Sequence, residues 1–150
     1  MLDKQDFLTV VKNTPLVAID LIVRSSRDEI LMGLRMNEPA AGYWFVPGGR
    51  IYKSETLAAA FQRITETELG TAYNIENADL LGAFTHLYET NFAKQPGITT
   101  HYVVLGYQLQ LDLDINQLPA QQHSNYRWIG KNEDLSEVHP NSQAYYPCLR

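Results

Sequence analysis

Cysteine is nearly absent from the chain, and the single one, Cys148, excludes an internal disulfide framework and a multi-cysteine zinc site. Long apolar runs are absent too. The longest, Pro15 to Ile19 and then Leu21 to Val23 after Asp20, falls far short of the ~20 residues that span a bilayer. The start, Met1-Leu-Asp-Lys-Gln-Asp, lacks a basic region followed by an apolar block, so no secretory signal is visible and the cytoplasm is the expected location. Cations are in short supply: 12 Lys and Arg stand against 17 Asp and Glu, a net charge of −5. That balance argues against non-specific nucleic-acid binding, which needs a basic face to neutralise phosphates. There is no internal repeat, linker or biased tract. What remains is ordinary globular material, 150 residues with 45% hydrophobic and 11% aromatic content. A chain of this size buries roughly two-thirds of its unfolded surface and is expected to form a single domain over 1–150.

The order of elements points to α+β or α/β architecture with a mixed sheet. Leu2 to Lys12 reads as a short helix ended by Asn13-Thr-Pro. Leu16 to Val23 reads as a buried strand and Ile30 to Leu34 as its antiparallel partner, followed by a short strand at Tyr43 to Pro47 that runs into a glycine turn, Gly48-Gly49. Glu55 to Leu69 carries the clearest helical pattern. Strands are expected at Leu80 to Glu89, Thr99 to Leu111 and Tyr126 to Ile129, with a terminal helix starting near Asn141. Three arginines, Arg35, Arg50 and Arg63, lie around the glycine-rich turn and form the one local concentration of positive charge suited to an anionic small molecule. The acidic residues from Asp112 to Glu137 read as a solvated face.

The helix at 55 to 69 holds a misplaced carboxylate. Leu57, Ala60, Phe61 and Ile64 form its apolar stripe, and Glu68 projects within roughly 20–40° of the stripe's centre. Glu66 falls on the opposite side. A carboxylate facing a core must be paired, protonated or bound to metal, unless Glu68, in the last turn, splays to solvent.

Gly49, Glu55, Arg63, Glu68 and Gly70 stand at the spacing of the Nudix box, preceded by Trp44-Phe45-Val46-Pro47-Gly48-Gly49, and the chain therefore resembles the Nudix family. It departs from the box twice. Ile64 replaces the glutamate after the arginine, and Thr67 replaces the first of the paired glutamates. The segments Phe7 to Asp20, Gly42 to Arg50, Thr99 to Gly106, Gln122-His123 and Tyr126-Arg-Trp128 resemble the GDP-mannose mannosyl hydrolase branch, in which the same two glutamates are missing. The resemblance extends to about Tyr146.

That resemblance implies a Nudix fold, a mixed β-sheet sandwiched between α-helices, and Mg²⁺-dependent hydrolysis of GDP-mannose or GDP-glucose by attack of water at the anomeric carbon with inversion, giving GDP and free sugar. It implies one Mg²⁺ per subunit, held by the Gly49 carbonyl, the Glu68 carboxylate and the Gln122 side-chain oxygen, a hard-oxygen set suited to this ion. Arg35, Arg50 and Tyr102 are expected on the diphosphate. His123 is expected to take the proton from water. His86 is assigned to the substrate cavity, whereas His101 is expected on the other sheet face and His139 is read as structural. Asp20, which interrupts an apolar strand, either contacts sugar hydroxyls or pairs with Arg35 near developing positive charge, or else forms a structural ion pair. Arg63 and Glu55 are read as a pair that orients the loop without touching substrate. Leu2 to Phe7 matches the segment that, in the resembled family, approaches the nucleotide site of the second subunit, which implies a homodimer.

The residues by themselves leave alternatives open. Arg35 can be a strand-end surface charge, Tyr102 a core aromatic and His123 an exposed loop histidine. Two other functions compete: cleavage of a nucleotide sugar at phosphorus, and a catalytically silent Nudix domain that binds nucleotide sugars.

Overall fold

A computed structural model describes residues 2–119 and 125–150. The first helix, α1 (Lys4–Asn13), starts where the Asp3 carboxylate accepts the Asp6 N–H at 2.8 Å, and stops at Thr14, which is extended ahead of Pro15. Seven strands follow: β1 (Leu16–Arg24), β2 (Glu29–Leu34), β3 (Trp44–Phe45), β4 (Gly48–Arg50), β5 (Asp79–Tyr88), β6 (Thr100–Gln110) and β7 (Tyr126–Gly130). Between β4 and β5 lies α2 (Leu57–Leu69), and the short α3 (Pro140–Gln143) comes after β7.

The strands form one mixed sheet in the order β3-β2-β1-β6-β5, with β4 paired to β1 and β7 to β2. Only the β1–β6 pairing is parallel among the pairs described; it runs from Leu16↔Tyr102 to Arg24↔Gln110. One face of the sheet packs Ile19, Leu21, Val23, Leu31, Tyr107 and Leu109 under Ala60, Phe61 and Ile64 of α2. The other packs Ile22, Ile30, Met32 and Ile129 against Val138 and Tyr145 from the C-terminal segment. Alternation along β1 explains the division, since odd and even residues point to opposite faces.

Three local expectations need correction. Gly48-Gly49 is not a turn but part of β4, which lies along β1 with Ala18↔Arg50, Ile19↔Gly49 and Asp20↔Gly48 opposed. β2 therefore meets β1 only at Arg24↔Ile30, because β4 occupies the rest of that side. The helix begins at Leu57, not Glu55, because Thr56 is its cap: the Thr56 hydroxyl accepts the Ala59 N–H at 3.1 Å. Leu57 is 45% exposed, since it occupies the first turn and burial begins only at Ala60. At the other end Gly70 closes α2 in the left-handed conformation. Among the described residues no helix is long and apolar enough to cross a membrane.

Candidate active site

An open cleft lies where β1, β4, β5 and β6 meet the end of α2. Its floor is Ala18 and Asp20 of β1, its far wall His86 and Tyr88 of β5 with Tyr102 and Val104 of β6, and its near wall Gly48, Gly49, Arg50 and Glu68. Arg35, Pro39 and Phe45 form the rim. The register explains the convergence. His86 faces Tyr102 across β5–β6, and Ala18 faces Val104 across β1–β6, so alternate residues of three adjacent strands point the same way.

Asp20 has glycine on both neighbouring strands, Gly48 on β4 and Gly106 on β6. A Cβ at Gly48 would lie 2.5 Å from Asp20 Oδ1 and 2.6 Å from the Ile19 carbonyl oxygen. A Cβ at Gly106 would lie 2.9 Å from Tyr145 Cε1. These two missing side chains let Asp20 fit and let the Tyr145 ring reach beneath it. The Tyr145 hydroxyl donates to Asp20 Oδ2 at 2.7 Å. Burial pushes the Asp20 carboxyl up to about 7, against the opposing pull of the Tyr145 hydrogen bond and the Arg35 charge. Burial, with His139 nearby, pushes His86 down to about 4, so this imidazole is neutral at neutral pH. Burial also raises the Tyr102 hydroxyl, although Arg35 and Arg50 pull it down, and Tyr102 remains a protonated donor.

The cationic wall is rigidly built. Arg50 lies between two rings, 4.4 Å from the centroid of Phe7 and 5.0 Å from that of Tyr52. Phe7 in turn packs on Phe92 at 4.8 Å. Arg63 covers Tyr52 at 3.8 Å and donates from Nε to Glu55 Oε2 at 2.7 Å and from Nη2 to Glu55 Oε1 at 2.8 Å. The same Nη2 donates to the Arg50 carbonyl at 2.8 Å, and Glu55 Oε1 also accepts the Tyr52 N–H at 2.7 Å. The Arg63 hydrogen bonds hold the Glu55 carboxyl below its ordinary range. Arg63 and Glu55 thus brace the segment that carries Arg50. On the rim, Arg35 Nε donates to the Pro39 carbonyl at 2.6 Å.

Glu68 is 4% exposed, on the core-facing side of α2 that its position on the wheel predicts, and the Gly48 N–H lies 3.4 Å from its Oε1. Glu66 and Thr67 are exposed. Ile64 is buried, and it packs against Gly49, where an added Cβ would lie 3.1 Å from Ile64 Cγ1. The position that holds a box glutamate elsewhere is here a packing residue under β4. Among the described residues no group of three His, Cys, Asp or Glu could hold a metal alone. The Glu68 carboxylate and the backbone of Gly49, both lining the cleft, offer hard oxygens, and they fit Mg²⁺ as part of its ligand set. Gln122 and His123 lie outside the described residues.

The cleft thus brings together Asp20, Arg35, Gly49, Arg50, Glu68, His86 and Tyr102. Phe7 adjoins it through Arg50, whereas Leu2 is 48% exposed. His101 is exposed, and His139 caps α3 through Nδ1, which accepts the Asn141 N–H at 3.1 Å. Sequence reasoning missed Tyr145 as Asp20's partner, since no local pattern marks a contact between residues 20 and 145.

The sequence profile of the NUDIX domain matches residues 14–148, and the chain belongs to the Nudix family. Membership supports hydrolase activity. Among relatives, the Low-salt glycan biosynthesis protein Agl8 of Haloferax volcanii is 38% identical over 141 residues, spanning 93% of this chain and 85% of that protein. The MutT NUDIX hydrolase from Burkholderia pseudomallei superposes with a TM-score of 0.71 at 21% identity, covering 92% of this chain and all of that one. The MutT protein from Methanosarcina mazei superposes with a TM-score of 0.67 at 15% identity, covering 90% and 93% of the two chains. The two solved structures establish the likeness of fold.

Proposed function

We propose that the protein hydrolyses GDP-mannose, or GDP-glucose, at the anomeric carbon, releasing GDP and the free sugar. The observation that carries this reading is the fate of the two substituted box positions. Ile64 is packed under Gly49 and Thr67 points to solvent, so neither can supply a metal-bound base for attack on phosphorus. The cleft meanwhile offers what attack on carbon requires: cations for a diphosphate leaving group and a carboxylate, Asp20. A relative named for glycan biosynthesis supports a sugar-bearing substrate.

In this reading Arg35 and Arg50 donate paired hydrogen bonds to the diphosphate, and Tyr102 adds its hydroxyl. Their contribution grows as the leaving group gains negative charge in the transition state. Asp20 lies under the sugar and stabilises the positive charge that develops on its ring. Neutral His86 orients sugar hydroxyls, and His123 takes the proton from the attacking water. Gly49, Glu68 and Gln122 would hold Mg²⁺, which, when bound, neutralises diphosphate charge. Leu2 and Phe7 belong to the nucleotide end, in a homodimer working in the cytoplasm with the whole chain as one domain.

Product analysis tests the reading. Purified protein with GDP-mannose and Mg²⁺ is expected to yield GDP and mannose; GMP and mannose 1-phosphate would overturn it. His123→Gln is expected to lower kcat by roughly 10²–10⁴-fold with nucleotide-sugar affinity nearly intact. Unchanged turnover would remove His123 as the base.

A further inference from the structure

We infer that Tyr145 is a positioning residue for Asp20, holding one carboxylate oxygen so that the other is presented to substrate. The inference rests on the assignment of Asp20 to the sugar side of the cleft. Its basis is a division of labour between the two oxygens. Oδ2 accepts the Tyr145 hydroxyl at 2.7 Å, while Oδ1 lies on the side of Gly48, which lines the cleft. With Oδ2 tied, the carboxylate cannot rotate freely about its Cβ–Cγ bond, and its orientation toward a sugar ring is set before substrate arrives.

Tyr145 itself is held on several sides. It is 1% exposed, its ring meets Phe84 edge-on at 4.9 Å, and its closest approach to β6 is at Gly106, where no side chain intervenes. His86, on the cleft wall, lies 6.3 Å away in an edge-on arrangement. Burial raises the Tyr145 hydroxyl far above its ordinary range, so it is a donor at any working pH. A tyrosine pinned in this way fixes the geometry of whatever its hydroxyl binds, and the only partner it has in the hydrogen bonds described is Asp20.

A double-mutant cycle on the full-length protein tests this, with Tyr145→Phe, Asp20→Asn and the pair. Tyr146→Phe is the control, because the Tyr146 hydroxyl makes a comparable bond, 2.7 Å to the Ile129 carbonyl. Tyr145→Phe is expected to lower kcat roughly tenfold with KM nearly unchanged. It should have almost no further effect when Asp20 is already Asn, since the two residues act as one unit. Tyr146→Phe should lower Tm to a similar degree while leaving kcat within about twofold. The proposal is overturned by a tenfold loss that persists in the Asp20→Asn background, by a kcat loss in Tyr146→Phe matching that of Tyr145→Phe, or by full activity of Tyr145→Phe. The underlying assignment fails separately: Asp20→Asn would then keep full activity. Should the products prove to be GMP and a sugar phosphate, the cycle still decides Tyr145 on that reaction.

Discussion

Asp20→Asn is expected to make the protein more stable at pH 8 while lowering kcat about 10²–10³-fold. The two effects share one origin. Folding buries the Asp20 carboxyl and raises it from 3.8 to about 7, so the folded chain holds a proton there that the unfolded chain has released between those values. A folded-state pKa above the unfolded one means stability fully present below about pH 4 and lost as the pH rises through about 7. Asparagine keeps the shape and can still accept from Tyr145, but it never ionises. The variant should therefore match wild type near pH 4 and exceed it by about 1–3 kcal/mol at pH 8, after allowance for burying the amide. In the proposed reaction the catalytic loss follows because the amide cannot stabilise positive charge on the sugar. Chemical denaturation at the two pH values, beside steady-state kinetics, checks both halves. A variant less stable than wild type at pH 8 would contradict the burial of the charge, and retained kcat would remove Asp20 from the chemistry. His86 works in the opposite sense: lowered from 6.5 to about 4, it costs stability as the pH falls through that window, and comparing variant with wild type cancels it.

Gly48→Ala carries the second large effect. The added methyl would sit 2.6 Å from the Ile19 carbonyl oxygen and 3.2 Å from Asp20 Cα, both backbone atoms, so no side chain can simply swing away. β4 must separate from β1, and β4 carries Gly49 and Arg50. A stability loss of about 3 kcal/mol is expected. For a chain of this length that is roughly 6–12 °C in Tm. Displacing Arg50 by ~1 Å should also cost about 10²-fold in kcat. A Tm for Gly48→Ala within about 2 °C of wild type, measured by differential scanning calorimetry, would mean that the β1–β4 contact is looser than described.

The legible parts of this molecule are those governed by short-range periodicity. The burial of Glu68 follows from its angle on a helical wheel, and Asp20's sharing of a face with Ala18 follows from alternation in a strand. The positions of the long strands along the chain were readable from β-branched runs bounded by turn residues. The Arg63–Glu55 pair was expected from the resemblance to the Nudix box, and the two side chains do meet. The misreadings occur where a distant partner decides. Gly48-Gly49 has the composition of a turn, and only the approach of β1 makes it a strand. Leu57 fits the apolar stripe, but the buried stripe starts one turn later. The Arg35 charge, 15 residues on, does act on Asp20, but the carboxylate's hydrogen bond goes to a tyrosine 125 residues away. Nothing in a period of 2 or 3.6 encodes that separation.

The two glycines beside Asp20 bear on how the sequence can drift. Depth at the cleft floor is set by backbone and not by a side chain that could be exchanged for a similar one. Lengthening Asp20 to glutamate has no compensating trim available, because positions 48 and 106 already carry the smallest residue there is. On the proposed function, a shift toward a bulkier or slimmer sugar must come from the rim, where Pro39 and Phe45 can change size, or from the wall at Tyr88. Leu87, 66% exposed on the outer side of β5, is free to vary without reaching the floor at all. Substrate range and catalytic geometry in this chain can thus evolve separately, the first by exchanging side chains around the mouth, the second hardly at all.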